Sequence, residues 1–212
     1  MSLNSTLYII KGIPVTLEYT FISFLVGLFL GTIFSLAKLS KNKWLSSFVS
    51  MYISIFRGTP ILVQLTIIYF VTPNLIGYNI SIFEAGVIAF SLNSAAYISE
   101  IIRAGIISID KGQFESAQAL SIPYFYVMKD IILPQAVRNI LPALVNEIIS
   151  LLKETAIISF FGEKDIMKRA DAVAIEQYDY FIPLLIAAAC YYLLVVIFSN
   201  IAKFIETRMK IA

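Results

Sequence analysis

Apolar residues in this chain gather into long uncharged runs separated by short charged stretches, the pattern of helices that cross a bilayer. The first run, Tyr19 to Ala37, lies between Glu18 and Lys38 and meets the roughly 20 residues a spanning helix needs. Ahead of it, Leu7 to Ile10 form a short apolar patch followed by Lys11, Gly12 and Pro14. A secretory signal has its positive charge before the apolar stretch and a small-residue cleavage site after it. Neither is present, so residues 1–15 are expected to be an interfacial segment leading into span one. The run from Gly58 to Ile76 predicts span two, with Pro60 tolerated in its first turn. Trp44 to Phe56 is too short to cross and is expected along the interface. Spans three, four and five are placed at about Ile80–Ile102, Asn139–Phe161 and Tyr180–Ala202, the last opened by Tyr180 and Phe181 as an aromatic belt. Gly27 and Gly31 make a GxxxG pair that permits close helix approach, although a lipid-facing coincidence is nearly as common. The expected fold is an all-α integral membrane protein of five transmembrane helices, with a membrane domain over 16–205, a loop at 108–135 and a tail at 206–212.

Composition agrees. Of 212 residues, 59% are hydrophobic and 14% charged, against about 25% charged in a soluble domain, and the mean hydropathy is +0.84. That much apolar surface cannot be hidden in one soluble core. A net charge of +2 with no basic block gives no footprint for nucleic acid. The chain has no histidine, which excludes a His-ligated metal or a His general base, and its one cysteine, Cys190, excludes an internal disulfide.

The basic residues set the orientation. With the N-terminus outside, eleven fall on the inner side (Lys38, Lys41, Lys43, Arg57, Arg103, Lys111, Lys129, Arg138, Lys203, Arg208, Lys210) and four on the outer (Lys11, Lys164, Lys168, Arg169). This satisfies the positive-inside rule. The expected topology is N-out and C-in, with Gly162 to Asp179 a charged external loop and the stretch after span three cytoplasmic.

That cytoplasmic stretch, Gly112 to Pro134, reads GQFESAQALSIPYFYVMKDIILP. Pro123 and Pro134 are expected to cut it into two short helices, about Gln113–Leu120 and Tyr124–Leu133. Their half-apolar, small-residue faces suit insertion into a partner's groove. A hairpin folded on its own protein fits the pattern equally well. Glu115, Ser116 and Ala117, then Ser121, then Ile131, Leu133 and Pro134 reproduce the spacing of the EAA loop, by which the chain resembles the permeases of ATP-binding-cassette (ABC) importers. The family pattern has alanine where this chain has Ser116 and glycine where it has Ser121. A non-glycine residue in a left-handed turn costs roughly 1 kcal/mol, so either this turn is mildly strained or it does not need positive φ. Phe56-Arg57-Gly58-Thr59-Pro60 with Leu62 to Leu65, the run Asn93 to Gly105, and Lys153-Glu154-Thr155 resemble the polar amino-acid branch of that family.

Polar residues inside the spans need partners. Asn93 must hydrogen-bond within the bundle, and Glu100 and Arg103 are spaced i, i+3 and can pair. Glu147 and Glu154 project from one face of span four, with Lys153 on an adjacent face and Thr155 after them. They fit a lining of the translocation path or an ion-pair network equally well.

No GxxxxGK[ST] phosphate loop occurs, so ATP is not held here in the usual cradle. The resemblance implies a non-enzymatic permease subunit of a binding-protein-dependent importer for a polar amino acid, most like the glutamine permeases, in a bacterial plasma (inner) membrane. It implies no cofactor on this chain and ATP on a partner. The implied partners are two copies of an ABC ATPase, a second permease subunit, a periplasmic or surface-anchored amino-acid-binding protein and the lipid bilayer, with no nucleic acid. By resemblance Gly112, Glu115, Ser116, Ala117, Ser121, Ile131, Leu133 and Pro134 form the ATPase-coupling loop. Glu115 and Ala117 would sit in the ATPase groove, and Leu133-Pro134 would fix the second arm to span four. The alternative is an ion-coupled secondary amino-acid carrier with Glu147, Lys153 and Glu154 as a relay. Such carriers show two related halves, and no internal repeat is visible. A non-transporting scaffold is the third reading.

Overall fold

Small side chains mark the centre of the molecule. The computed structural model describes residues 2–211, and among them every regular element is helical. The helix α6 (Ile82–Ile107) buries Ala85, Ala89, Ser91, Ser94, Ala95, Ala96 and Ser99, and two-thirds of its most apolar stretch is covered by protein. It begins with a capping box: Ser81 Oγ accepts from the Glu84 N–H at 3.2 Å, and Glu84 accepts from the Ser81 N–H at 2.8 Å.

The longest packing seam joins α6 to α2 (Ile13–Leu39), and the GxxxG pair makes it. A Cβ on Gly27 would stand 3.0 Å from Ser94 Cβ, and one on Gly31 would stand 2.9 Å from the Ala95 carbonyl and from Ile98. Both glycines are at the protein seam, not at the lipid face. On the other side of α2, Phe21, Leu25, Phe29, Ile33 and Leu36 are exposed.

The segment α3 (Lys43–Gly58) was expected along the interface. It packs Val49 and Ile53 against Phe34, Ala37 and Ala96 in the bundle, because one set of its apolar positions recurs on the face turned to α2 and α6. A sharp break at Thr59-Pro60 then leads to α4 (Ile61–Thr66), a wide π-turn over Ile67–Val71, and α5 (Thr72–Ile76). The two arms meet at a bend of 104°. Three stretches are long and apolar enough to cross a membrane, Leu3–Lys38, Ile82–Ile107 and Phe181–Phe204, and this bent pair makes a fourth candidate.

After α6 come α7 (Lys111–Ala119), the short α8 (Tyr124–Tyr126), a second π-turn over Val127–Ile132, and α9 (Leu133–Glu154). Pro134 does not cut the chain as expected. Helix runs on from Tyr124 to Glu154, with Pro134 in the first turn of α9. Both π-turns end two residues before a proline, Pro73 and Pro134. A wider turn relieves the clash between the proline ring and the carbonyl one turn back, and absorbs its missing N–H.

The expected external loop also holds structure. A 3₁₀ stretch over Thr155–Phe161 ends at Gly162, whose φ of +97° only glycine adopts freely. Then α10 (Ile166–Gln177) buries Ile166, Ala170, Val173 and Ala174 at helical spacing. This face packs on Ile9 of α1 (Leu3–Ile10) and on Ala187, Cys190 and Leu194 of α11 (Phe181–Ile211). The N-terminal segment is therefore docked on α10. Gly12 makes the contact possible, since a Cβ there would lie 2.4 Å from the Ile166 nitrogen.

Candidate functional site

Two regions carry the polar and partner-facing chemistry. The first is the hairpin of α7 and the arm that leads into α9. Asp110 caps α7, its Oδ1 accepting from the Gly112 N–H at 2.6 Å. The helix ends in a Schellman motif: the Ser121 N–H donates to the Gln118 carbonyl at 2.9 Å and the Ile122 N–H to the Ala117 carbonyl at 3.0 Å. Ser121 sits at φ +56°, so the turn does need the left-handed conformation that glycine takes without strain.

Of the residues assigned to this loop, Glu115 and Ser116 are exposed on α7, whereas Ala117 is only 3% exposed. Ala117 packs inward on Ile109, Val127, Ile132 and Ala136, with Phe114, Ile122 and Ile131 around them. It therefore holds the two arms together, at the floor of an open cavity also lined by Ser116, Leu120 and Ile131. Leu133 and Pro134 are exposed at the start of α9. Outward-facing apolar groups that sequence reasoning passed over gather at the tip: Leu120 is 74% exposed, with Tyr124 and Phe125 beside the turn. Pro123, which sets the turn, was the signal that these side chains flank it.

The second region runs from the α3–α4 break along the seam of α6 and α9. Gln64 Nε2 donates to the Phe56 carbonyl at 2.9 Å, the Thr59 carbonyl at 3.1 Å and Thr59 Oγ1 at 2.9 Å. Asn93 Nδ2 donates to the Phe56 carbonyl at 3.2 Å and to Gln64 Oε1 at 3.1 Å. These two amides replace the helix donors lost at the break, so Asn93 is a structural clamp. Tyr52 adds a bond from its hydroxyl to the Leu92 carbonyl.

At the inner end of α6, Glu100 is a hub. Lys38 of α2 pairs with its Oε1, and Arg103 Nη2 with its Oε2 at 2.8 Å. Higher on the seam, Ser94 Oγ donates to Glu147 Oε1 of α9 at 2.7 Å. Arg57, at the end of α3, lays its guanidinium 5.1 Å from the centre of the Tyr97 ring. An open cavity of about 590 Å³ lies here, lined by Arg57, Tyr97 and Glu100 on one side and by Asn139, Ile140 and Ala143 on the other. Thr155 is fully buried, with its hydroxyl on the Leu152 carbonyl of its own helix, and Lys153 points outward. Asn93, Glu100, Arg103 and Glu147 thus lie along α6 and its seam, whereas Lys153 and Thr155 stand apart from them and Glu154, half-buried, ends α9 two turns beyond Glu147. Arg57 was read from the sequence only as an inner basic residue within a family-like run, because its contact with Tyr97 forms between separate helices.

The comparisons with known proteins agree with one another. Residues 23–211 match the family described as binding-protein-dependent transport system inner membrane component. A Rickettsia bellii protein named as a glutamine transport system permease is 55% identical over 97% of this chain and 94% of its own length. An arginine transport system permease of Bacillus subtilis is 49% identical over 96% of this chain and 93% of its own. Among solved structures, one described as an amino acid ABC transporter with histidines superposes with a TM-score of 0.92 at 42% identity, covering 97% of this chain and 96% of that one.

Proposed function

Since the chain belongs to the binding-protein-dependent transport system inner membrane component family, and is the non-catalytic permease subunit of an amino acid ABC importer, we propose that it carries glutamine and is driven through the hairpin at 112–134. The reading gives five spans, with α9 the fourth and α11 the fifth, N-out and C-in, in a bacterial plasma membrane. Two such subunits would enclose the path and each would meet one ATPase subunit. Binding protein would deliver the amino acid from outside. ATP closing the ATPase dimer would then shift the pair between inward- and outward-open packings.

The observation that carries the coupling role is the exposed apolar tip at Leu120, Tyr124 and Phe125, on an arm continuous with α9. An apolar patch on a segment outside the bilayer calls for a covering partner. Glutamine is favoured by the relative that is 55% identical, while the arginine permease at 49% is the runner-up. The test is ATP-driven uptake in vesicles by the chain with its ATPase and its binding protein. Phe125→Asp and Glu115→Arg should each lower uptake at least tenfold while the chain still reaches the membrane. Unchanged uptake in both rejects the docking role. Competition among unlabelled amino acids against labelled glutamine checks the substrate.

A further inference from the structure

The corner between α2 and α3 gathers positive charge that the fold leaves unanswered. No aspartate or glutamate occurs between Glu18 and Glu84, a stretch that carries Lys38, Lys41, Lys43 and Arg57. Lys38 is taken by Glu100 of α6. Lys41 and Lys43 are exposed, and among the described residues neither has an acidic side chain within ion-pair distance. The backbone that carries them is fixed. Asn42, between them, accepts from the Trp44 N–H at 3.1 Å and the Leu45 N–H at 3.4 Å, and its own N–H donates to Ser40 Oγ at 3.2 Å. Ser46 Oγ donates to the Lys38 carbonyl at 3.0 Å. The start of α3 is therefore level with Lys38, the first charge after the uncharged run Tyr19–Ala37, which under the N-out, C-in topology marks the inner face of the bilayer.

While Val49 and Ile53 turn to the bundle, Trp44, Phe48, Met51 and Ile55 recur at helical spacing on another face of α3. Each of the four is more than half exposed, Trp44 at 88%. From Trp44 to Ile55 the row runs about 16 Å along the helix axis, against about 15 Å for the hydrocarbon of one leaflet. The row stops where α3 stops, ahead of the 104° bend. An apolar row one leaflet deep, headed by a tryptophan and two unpaired ammonium groups, repeats the order of parts in a phospholipid with an anionic headgroup.

We infer that this corner binds an anionic phospholipid of the inner leaflet: Lys41 and Lys43 take the headgroup phosphate, Trp44 lies at the boundary between headgroup and acyl chain, and an acyl chain runs along Phe48, Met51 and Ile55. The lysine stems lie on apolar surface while their ammonium groups reach the headgroup. The helix N-terminus takes no part, because Asn42 already caps its first donors. A zwitterionic lipid answers the two lysines poorly, since its own cation competes for the phosphate. The choice of leaflet rests on the N-out, C-in topology, whereas the lipid class rests on the corner itself.

Trp44 is the one tryptophan of the chain, so its fluorescence reports on this corner alone. The full chain is reconstituted in phosphatidylcholine vesicles that carry increasing fractions of phosphatidylglycerol or of phosphatidylcholine brominated near the headgroup, and quenching gives the relative affinity of the two lipids. Phosphatidylglycerol should be preferred at least tenfold. Lys41→Gln and Lys43→Gln should each lower that preference about threefold, and the double Gln variant should bring it under twofold, while Lys41→Arg with Lys43→Arg should keep it. Sodium chloride at about 0.5 M should lower the preference of the parent and leave the double Gln variant unchanged. Equal quenching by the two lipids in the parent overturns the site, and so does a preference that survives in the double Gln variant. Quenching by neither lipid overturns it as well, because a protein surface then covers Trp44. Should the double Gln variant fail to reconstitute, a preference in the parent that salt does not lower overturns the site. Both leaflets contain the test lipid, so a failed preference leaves the topology and the importer reading standing. Labelling of residues 112–134 from the outside overturns the topology and the inner-leaflet placement without touching the lipid preference.

Discussion

The backbone N–H of Ile122 donates to the Ala117 carbonyl across 3.0 Å, and this bond holds Ser121 between them in the left-handed region. The closing bond and the buried Ala117 belong to one device, since the same residue fills the hairpin core and accepts the bond that ends its helix. Ser121→Gly should relieve the turn and stabilise the hairpin by up to about 1 kcal/mol, while Ser121→Val should weaken it. Limited proteolysis at the tip, slower for the first and faster for the second, checks this.

The α2–α6 seam tolerates no added bulk at Gly31. Gly31→Val should destabilise the chain in detergent by roughly 1–3 kcal/mol through forced separation of the helices. Thermal unfolding read by size exclusion checks it. Gly58, with nothing near its would-be Cβ, should accept alanine with little change.

Gln64→Leu removes the donor that serves three oxygens at the α3–α4 break. Asn93 still reaches the Phe56 carbonyl, but both Thr59 oxygens lose this partner. The expected loss is about 1–3 kcal/mol, seen as faster amide exchange over 56–66 and little change at α10.

Asp165 makes stability depend on pH. It is fully buried at the start of α10, where Oδ1 accepts from the Lys168 N–H at 2.8 Å and Oδ2 from the Tyr191 hydroxyl at 3.1 Å. Burial pushes its carboxyl up to about 6 against the hold of these bonds, and Glu163 adds to the rise. The folded state therefore binds the proton more tightly than the unfolded one. Stability should fall as pH rises from about 4 to about 6, by roughly 2–3 kcal/mol, and level off above that. Asp165→Asn should flatten this slope and raise the melting temperature at pH 7.5. A parent whose stability rises over that window would refute the assignment.

The sequence carried the membrane class because an uncharged run such as Tyr19–Ala37 has few other stable homes. It carried the hairpin because Glu115 to Pro134 keeps the spacing of a known loop. It left Ser121 open, since serine fits either backbone conformation and only the closing bonds decide. Charges around Ile166, Ala170 and Val173 masked the helical spacing of α10. The role of α3 was invisible because a 104° bend is a tertiary fact that hydropathy does not register. The resemblance placed Ala117 at the partner surface, and its small side chain packs in the hairpin's own core. Arg57 and Ser94 meet the rest of the seam only through folding, from helices far apart in sequence.

Because Pro134 leaves the helix unbroken, the arm from Tyr124 passes into α9 with no coil between them, through the π-turn at Val127–Ile132 and then past Pro142. Helices bend most readily at a π-turn and at an internal proline, so a displacement of the hairpin tip enters the far half of α9 through two soft points of fixed position.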